Sequence, residues 1–172
     1  MAVLPEEWPA DLRKLGAPDL QYAVERLLGD YVHALDGDEL ERWPGFFVAD
    51  GIYKIVPREN FEKDLPMALM FCEGQGMMGD RVTAIRETLL FAPRTLRHLT
   101  SSLRIDGFDA DGAVRTTANY AVFESTSESA SAVFNVGRYV DRVVVDDGRL
   151  RYAEKICVFD TSMVPTSLIY PI

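Results

Sequence analysis

The 172-residue sequence is poor in the residues that hold metals and transfer groups. It has two histidines, His33 and His98, and two cysteines, Cys72 and Cys157. The histidines fall in different predicted elements, so nothing points to a two-histidine, one-carboxylate iron site. An iron–sulfur cluster of the two-Cys, two-His type would consume all four residues, and no Cys lies near a His. There is no C-x-x-C spacing, which excludes the common zinc and redox motifs. Both cysteines sit among apolar neighbours, Met70-Phe71-Cys72 and Ile156-Cys157-Val158, where a free thiol acts as a small buried hydrophobe. No G-x-S-x-G elbow and no phosphate-binding loop is present. Residues 74–79, GQGMMG, fit the letters of a dinucleotide fingerprint, but no βαβ pattern surrounds them and the match reads as coincidence. Basic runs are missing too: 18 Lys and Arg are scattered among 27 Asp and Glu, for a net charge of -9. That balance argues against nucleic acid and anionic membrane as partners. No apolar run approaches the roughly 20 residues of a membrane span. The first residues carry neither the positive region nor the apolar core of a secretory signal, so the expectation is a cytoplasmic protein.

The rest of the composition is that of an ordinary globular chain, 48% hydrophobic and 26% charged. One domain is expected at this length. Residues 1–18 hold Pro5, Pro9 and Pro18 and read as an N-terminal arm; 19–172 read as the domain. Asp19 is the expected N-cap of a helix whose stripe is Leu20, Val24, Leu27, Leu28, Tyr31 and Leu35, ended by Gly37. Gly29 within it marks a weak point or a close packing contact. A short helix interrupted by Pro44 is expected over 38–47, a strand over 51–56, and a second strand over 67–72 pairing back on the first. Gly74, Gly76 and Gly79 are expected to break the chain before a helix over 80–89.

From Arg97 on, the pattern is β. Strands are expected over 98–105 and 114–124, the latter with Val114, Thr116, Ala118, Tyr120 and Val122 on one side. Two long β-rich runs, 133–145 and 150–159, flank Asp146-Asp147-Gly148, a strong hairpin signal. Four strands as a meander, with helices laid on the concave face, make an α+β cone with a curved antiparallel sheet. The apolar tail 161–172 is expected to lie on the surface and dock on a partner.

Acid–base chemistry has some candidates. His33 and Asp36 lie three apart on the first helix and can share a face. A carboxylate in a cone pocket can be tuned into a general base, with Tyr53 and His98, or Tyr31 and Tyr120, beside it. The plainer alternative has Asp36 facing water at the helix end and His33 partly exposed. Inside the long strands, Arg138 and Asp141 project to opposite faces and fit a subunit interface, a buried ion pair or a solvated face.

Several segments carry a resemblance: 31–36 (YVHALD), 53–59 (YKIVPRE), 94–99 (RTLRHL), 119–123 (NYAVF), 134–141 (FNVGRYVD) and the tail to Ile172. In this order and spacing, the chain resembles the small (β) subunit of aromatic-ring-hydroxylating oxygenases, the Rieske non-haem iron family. The tail is most similar to small subunits of enzymes acting on hydroxylated or carboxylated benzenes such as salicylate. The resemblance implies a cone of the ketosteroid-isomerase-like, or nuclear-transport-factor-like, superfamily. It also implies a β subunit that trimerises and carries three α subunits as an α3β3 hexamer. The α subunit would hold the Rieske [2Fe-2S] cluster and the mononuclear iron, leaving this chain structural, with no catalytic residue and no cofactor. The alternative is a stand-alone isomerase, dehydratase or cyclase using His33, Asp36, Tyr53 and His98. An open cavity lined by two or more of these would favour the enzyme. A cone plugged by Met67, Met70 and Phe71 would favour the subunit.

Overall fold

The apolar stripe of the first helix faces the core. In a computed structural model, which describes residues 7–87, 94–161 and 168–172, helix α1 covers Ala17–Asp36 and buries Leu20, Val24, Leu27, Leu28, Tyr31 and Leu35. It starts three residues earlier than expected. Gly16 is the extended N-cap, and Pro18 sits in the first turn, where its missing N–H is not needed. Asp19 lies inside that turn and complements the helix dipole. A Cβ added at Gly29 would meet nothing within 4 Å, so close packing is not its reason. The segment before α1 is tied to the body. Leu12, in the 3-10 turn Leu12–Lys14, is 2% exposed, and the Trp8 N–H donates to the Gly148 carbonyl at 2.8 Å.

After α1, a 3-10 segment, Leu40–Phe46, buries Leu40 and Trp43 around Pro44. Then come β1 (Phe47–Pro57), α2 (Arg58–Glu62), β2 (Met70–Glu73), α3 (Gly74–Glu87), β3 (Arg94–Phe108), β4 (Val114–Thr126), β5 (Ala132–Asp146) and β6 (Arg149–Phe159). The glycines at 74, 76 and 79 do not break the chain; they open α3. Met78, Val82 and Ile85 bury one face of that helix, and packing of this stripe outweighs the poor helix propensity of glycine. Residues 88–89 of the expected helix lie outside the described residues. β2 is a strand at the sheet edge, antiparallel to β1, so the glycine letters have no βαβ unit around them.

The sheet order is β2-β1-β6-β5-β4-β3. Strands β3 to β6 form the expected antiparallel meander. The sheet as a whole is mixed, not purely antiparallel, because β1 lies parallel to β6, with Tyr53 opposite Lys155. Parallel neighbours need a long connection, and here everything from α2 to β5 supplies it. On β4 the predicted alternation holds: Val114, Thr116, Ala118, Tyr120 and Val122 are all within 3% of full burial. Asp147 and Gly148 both have positive φ, 49° and 70°, as the two-residue hairpin turn requires. The result is a curved six-stranded sheet wrapped around α1 and the Trp43 segment, an α+β cone. Among the described residues, no helix is long and apolar enough to cross a membrane.

Candidate functional site

Of the sequence-predicted groups, Asp36 and His98 come together, while His33 and Tyr53 lie elsewhere. His33 is exposed on α1. Asp36, one residue before the Gly37 cap, does not face water, as the plainer reading had it; its side chain is 6% exposed. A carboxylate at a helix C-terminus opposes the dipole. Here it is offset by β3: the His98 backbone N–H donates to Asp36 Oδ1 and Oδ2 at 3.0 and 3.1 Å, and His98 Nδ1 lies 2.6 Å from Oδ1. Arg97 Nη1 adds a looser contact at 3.5 Å. The His98 ring is fully buried, and its Nε2 has no hydrogen-bond partner among the described residues. Asp36 therefore pins the end of α1 to β3. Replacing it with Ala leaves two buried donors unsatisfied, which is expected to cost about 2–4 kcal/mol. His33→Ala, on an exposed face, is expected to stay within about 0.5 kcal/mol, and urea unfolding of both variants checks the pair.

Tyr53 belongs to a different place, the floor of the cone. Its ring stands edge-on to Trp43 at 5.0 Å and to Phe47 at 6.0 Å. Tyr31 meets Tyr152 edge-on at 5.7 Å. The tail ends among these rings. Ile169 and Ile172 are 7% and 0% exposed, so this part of the tail packs into the chain's own core and not on a surface. Its apolar pattern asks for cover without saying which surface supplies it. Tyr31 Oη donates to the main-chain oxygen of Ile172 at 2.9 Å, and Tyr53 Oη to the same oxygen at 3.1 Å. The Ile172 N–H donates back to Tyr53 Oη at 2.8 Å. Cys157 Sγ lies 3.3 Å from that oxygen. Burial holds both tyrosines well above the usual phenol range and pushes the Cys157 thiol up to about 12, so all three are protonated donors. Of the plug residues named from sequence, only Met70 is buried; Met67 and Phe71 are 70% and 44% exposed. Four grooves formed by described residues open on the surface, and His33, Asp36, Tyr53 and His98 line none of these four.

The buried ion pair anticipated for the long strands exists. Lys155 Nζ lies 2.9 Å from Asp141 Oδ2, at 0% and 3% side-chain exposure. The ammonium also faces the rings of Tyr139, Tyr152 and Tyr31 at 3.7, 4.5 and 4.7 Å. Burial pushes the Asp141 carboxyl up to about 6, with Lys155 pulling against it. Sequence reading named Asp141 and missed Lys155. Arg138, on the opposite face, stacks over Phe61 at 5.8 Å.

The chain matches the model of the SnoaL-like domain over residues 19–155. It is 40% identical over 151 residues to the anthranilate 1,2-dioxygenase small subunit of Burkholderia cepacia, covering 88% of this chain and 93% of that one. It belongs to the small-subunit family of aromatic-ring-hydroxylating dioxygenases. This small subunit is also 30% identical, over 142 residues, to a β subunit of the terephthalate 1,2-dioxygenase terminal oxygenase component of Comamonas sp., covering 83% of this chain and 92% of that one. Its fold superposes with a TM-score of 0.81 on a β subunit from Novosphingobium aromaticivorans described as that of an aromatic-ring-hydroxylating dioxygenase. That match is at 35% identity and covers 91% and 99% of the two chains.

Oxygenases of this kind imply iron centres, and the residues of this small subunit do not fit one. His33 is exposed, His98 is bound to Asp36, and Cys72 and Cys157 are separate buried thiols. Among the described residues, no group of three or more His, Cys, Asp or Glu is placed to hold a metal.

Proposed function

We propose that this non-catalytic β subunit trimerises and carries three α subunits in an α3β3 hexamer that hydroxylates the ring of an aromatic carboxylic acid. The α subunits would hold the Rieske cluster and mononuclear iron, and the assembly would work in the cytoplasm. The 40% identity to an anthranilate dioxygenase small subunit over nearly the whole of both chains carries this reading. The terephthalate relative adds a second aromatic carboxylate, and a hydroxylated acid such as salicylate stays within the same class. Exposed apolar side chains suit a subunit made to be covered: Met67, Leu99 and Val133 are 70%, 57% and 55% exposed. In this reading the β subunit fixes how neighbouring α subunits meet. The stand-alone acid–base enzyme is disfavoured, because His33, Asp36, Tyr53 and His98 line none of the four grooves formed by described residues.

The deciding experiment is the solution mass of the chain alone and after co-expression with a candidate α subunit. A trimer that becomes a hexamer is expected. A monomer or dimer that ignores every α subunit overturns the reading. In the assembled enzyme, His33→Ala and Asp36→Ala, made singly, are expected to leave activity per hexamer unchanged. A loss of about a hundredfold with assembly intact, the size of a general acid–base contribution, would restore a catalytic role.

A further inference from the structure

Two surfaces on the outer side of the sheet complement one another. The first is the loop after α2, residues 63–69, which exposes Leu65, Met67 and Leu69. The loop is nonetheless held in one shape. The Leu65 N–H donates to the Asn60 carbonyl at 2.8 Å, the Asn60 side-chain amide to the Met67 carbonyl at 3.0 Å, and the Leu69 N–H to the Ile55 carbonyl at 2.8 Å. An apolar knob fixed in advance loses little entropy when it is covered. Glu62 and Asp64 beside it are exposed and have no ion-pair partner among the described residues. The second surface is a groove over β3, β4 and β5, whose lining includes Thr117, Val140, Arg104 and Arg138. Strand register continues it as an apolar row, with Leu99 of β3 opposite Ala121 of β4 and Ala121 opposite Val136 of β5. Leu99 and Val136 are exposed. Arg138 has no ion-pair partner among the described residues, and Arg104 has only Asp106, two residues away. Both surfaces are apolar; the loop carries free acids and the groove carries arginines, so their charges match.

We infer that the 63–69 loop of one copy of this chain docks in the Arg104–Arg138 groove of the next, and that this contact closes the trimer. Symmetry selects the occupant. A patch that meets its own copy gives a twofold pair, whereas two unlike patches that fit each other give a ring. A trimer needs the second arrangement, and this chain carries both patches. Leu65 and Met67 cover Leu99 and Val136, while Glu62 and Asp64 face Arg138 and Arg104. The inference rests on the trimer proposed above and names the surfaces that build it.

The test reads the mass in solution and then the contact itself. By sedimentation, Met67→Glu is expected to weaken trimer association at least about tenfold, as loss of an interface anchor does. Tyr22→Glu, an exposed position on α1 outside both surfaces, is expected to leave the mass unchanged. For the contact, Met67→Cys and Asn119→Cys, the latter in the groove, are co-expressed on differently tagged chains. The native Cys72 and Cys157 are buried and do not compete. With a short bismaleimide, the mixed chains are expected to give a covalent pair and each variant alone none, the signature of unlike patches meeting. A trimeric parent whose Met67→Glu variant is equally trimeric overturns the inference and leaves the trimer standing, as does a mixture that gives no covalent pair. A Met67→Glu variant that keeps the trimer but no longer holds an α subunit assigns the loop to that partner and overturns the inference too. A parent that is not a trimer, alone or with an α subunit, overturns both the inference and the reading it rests on.

Discussion

Gly137→Ala is expected to lower the melting temperature by more than 8 °C or to abolish soluble protein, and the reason lies in the middle of the sheet. Gly137 sits on β5 between Tyr120 of β4 and Phe159 of β6. A Cβ there would stand 2.0 Å from the Val158 carbonyl oxygen, 2.8 Å from Phe159 Cα and 2.9 Å from Tyr120 Oη. Two of these neighbours are backbone in a central strand and cannot swing aside. The third is held, because Tyr120 Oη donates to Asn135 Oδ1 at 2.7 Å and its ring stacks on Tyr139 at 4.5 Å. A methyl group at this position forces β5 and β6 apart or displaces Tyr120 from its partner. The loss is expected to be about 4 kcal/mol or more, in the range reserved for overpacking and broken buried networks. For a chain of this size that corresponds to about 8–16 °C. Gly76→Ala is the matched control, since a Cβ there meets nothing within 4 Å and alanine favours the helix. Thermal unfolding by circular dichroism compares the two. A Gly137→Ala melting point within 2 °C of the parent would mean that the backbone relaxes freely, and the argument would fail.

Gly137 also shows where sequence reading stops. Its segment, 134–141, is recognisable, and the alternation of β4 identifies the inner face residue by residue. The stripe of α1 and the turn at Asp147-Gly148 are equally legible, because each is a local pattern with one physical cause. Register across strands is not local. Counting back from the turn, where Asp146 faces Arg149, puts Glu154 opposite Asp141, a repulsive pair. A bulge between the Arg142 and Val143 pairings inserts Ala153 and brings Lys155 opposite Asp141 instead. The same bulge moves Cys157 and Phe159 onto the inner face with Lys155. The parallel pairing of β1 with β6 is invisible for the same reason, since nothing in either strand names its neighbour. Asp36 and His98 lie 62 residues apart and meet only because the end of α1 lies against β3. The tail advertises its need for cover, but the Tyr31–Tyr53–Cys157 donor set that receives it exists only once three elements have assembled.

Lys155→Met should be costly at neutral pH and much less so in acid. In the parent, burial raises the Asp141 carboxyl from 3.8 to about 6 even with Lys155 at 2.9 Å. A raised folded value means that this group contributes stability that is fully present below about pH 4, its unfolded range, and is lost as pH rises through about 6. Methionine removes the ammonium that holds the carboxyl down, so the folded value climbs further and the fall continues past pH 6. It also removes the cation facing the rings of Tyr31, Tyr139 and Tyr152. Breaking a buried pair from one side costs about 3–5 kcal/mol, because the remaining charge is left uncompensated. That full penalty is expected at pH 7.5. At pH 5, where Asp141 binds a proton in both proteins, most of it should disappear. The double variant Asp141→Asn with Lys155→Met removes the orphaned charge and should recover most of the stability at pH 7.5, with a flat pH dependence for this site. Urea unfolding of the three proteins at the two pH values measures all of this. A Lys155→Met penalty equal at both pH values would show that the cost is lost packing among the tyrosines. A double variant no more stable than the single would show that Asp141 was never the charge at issue.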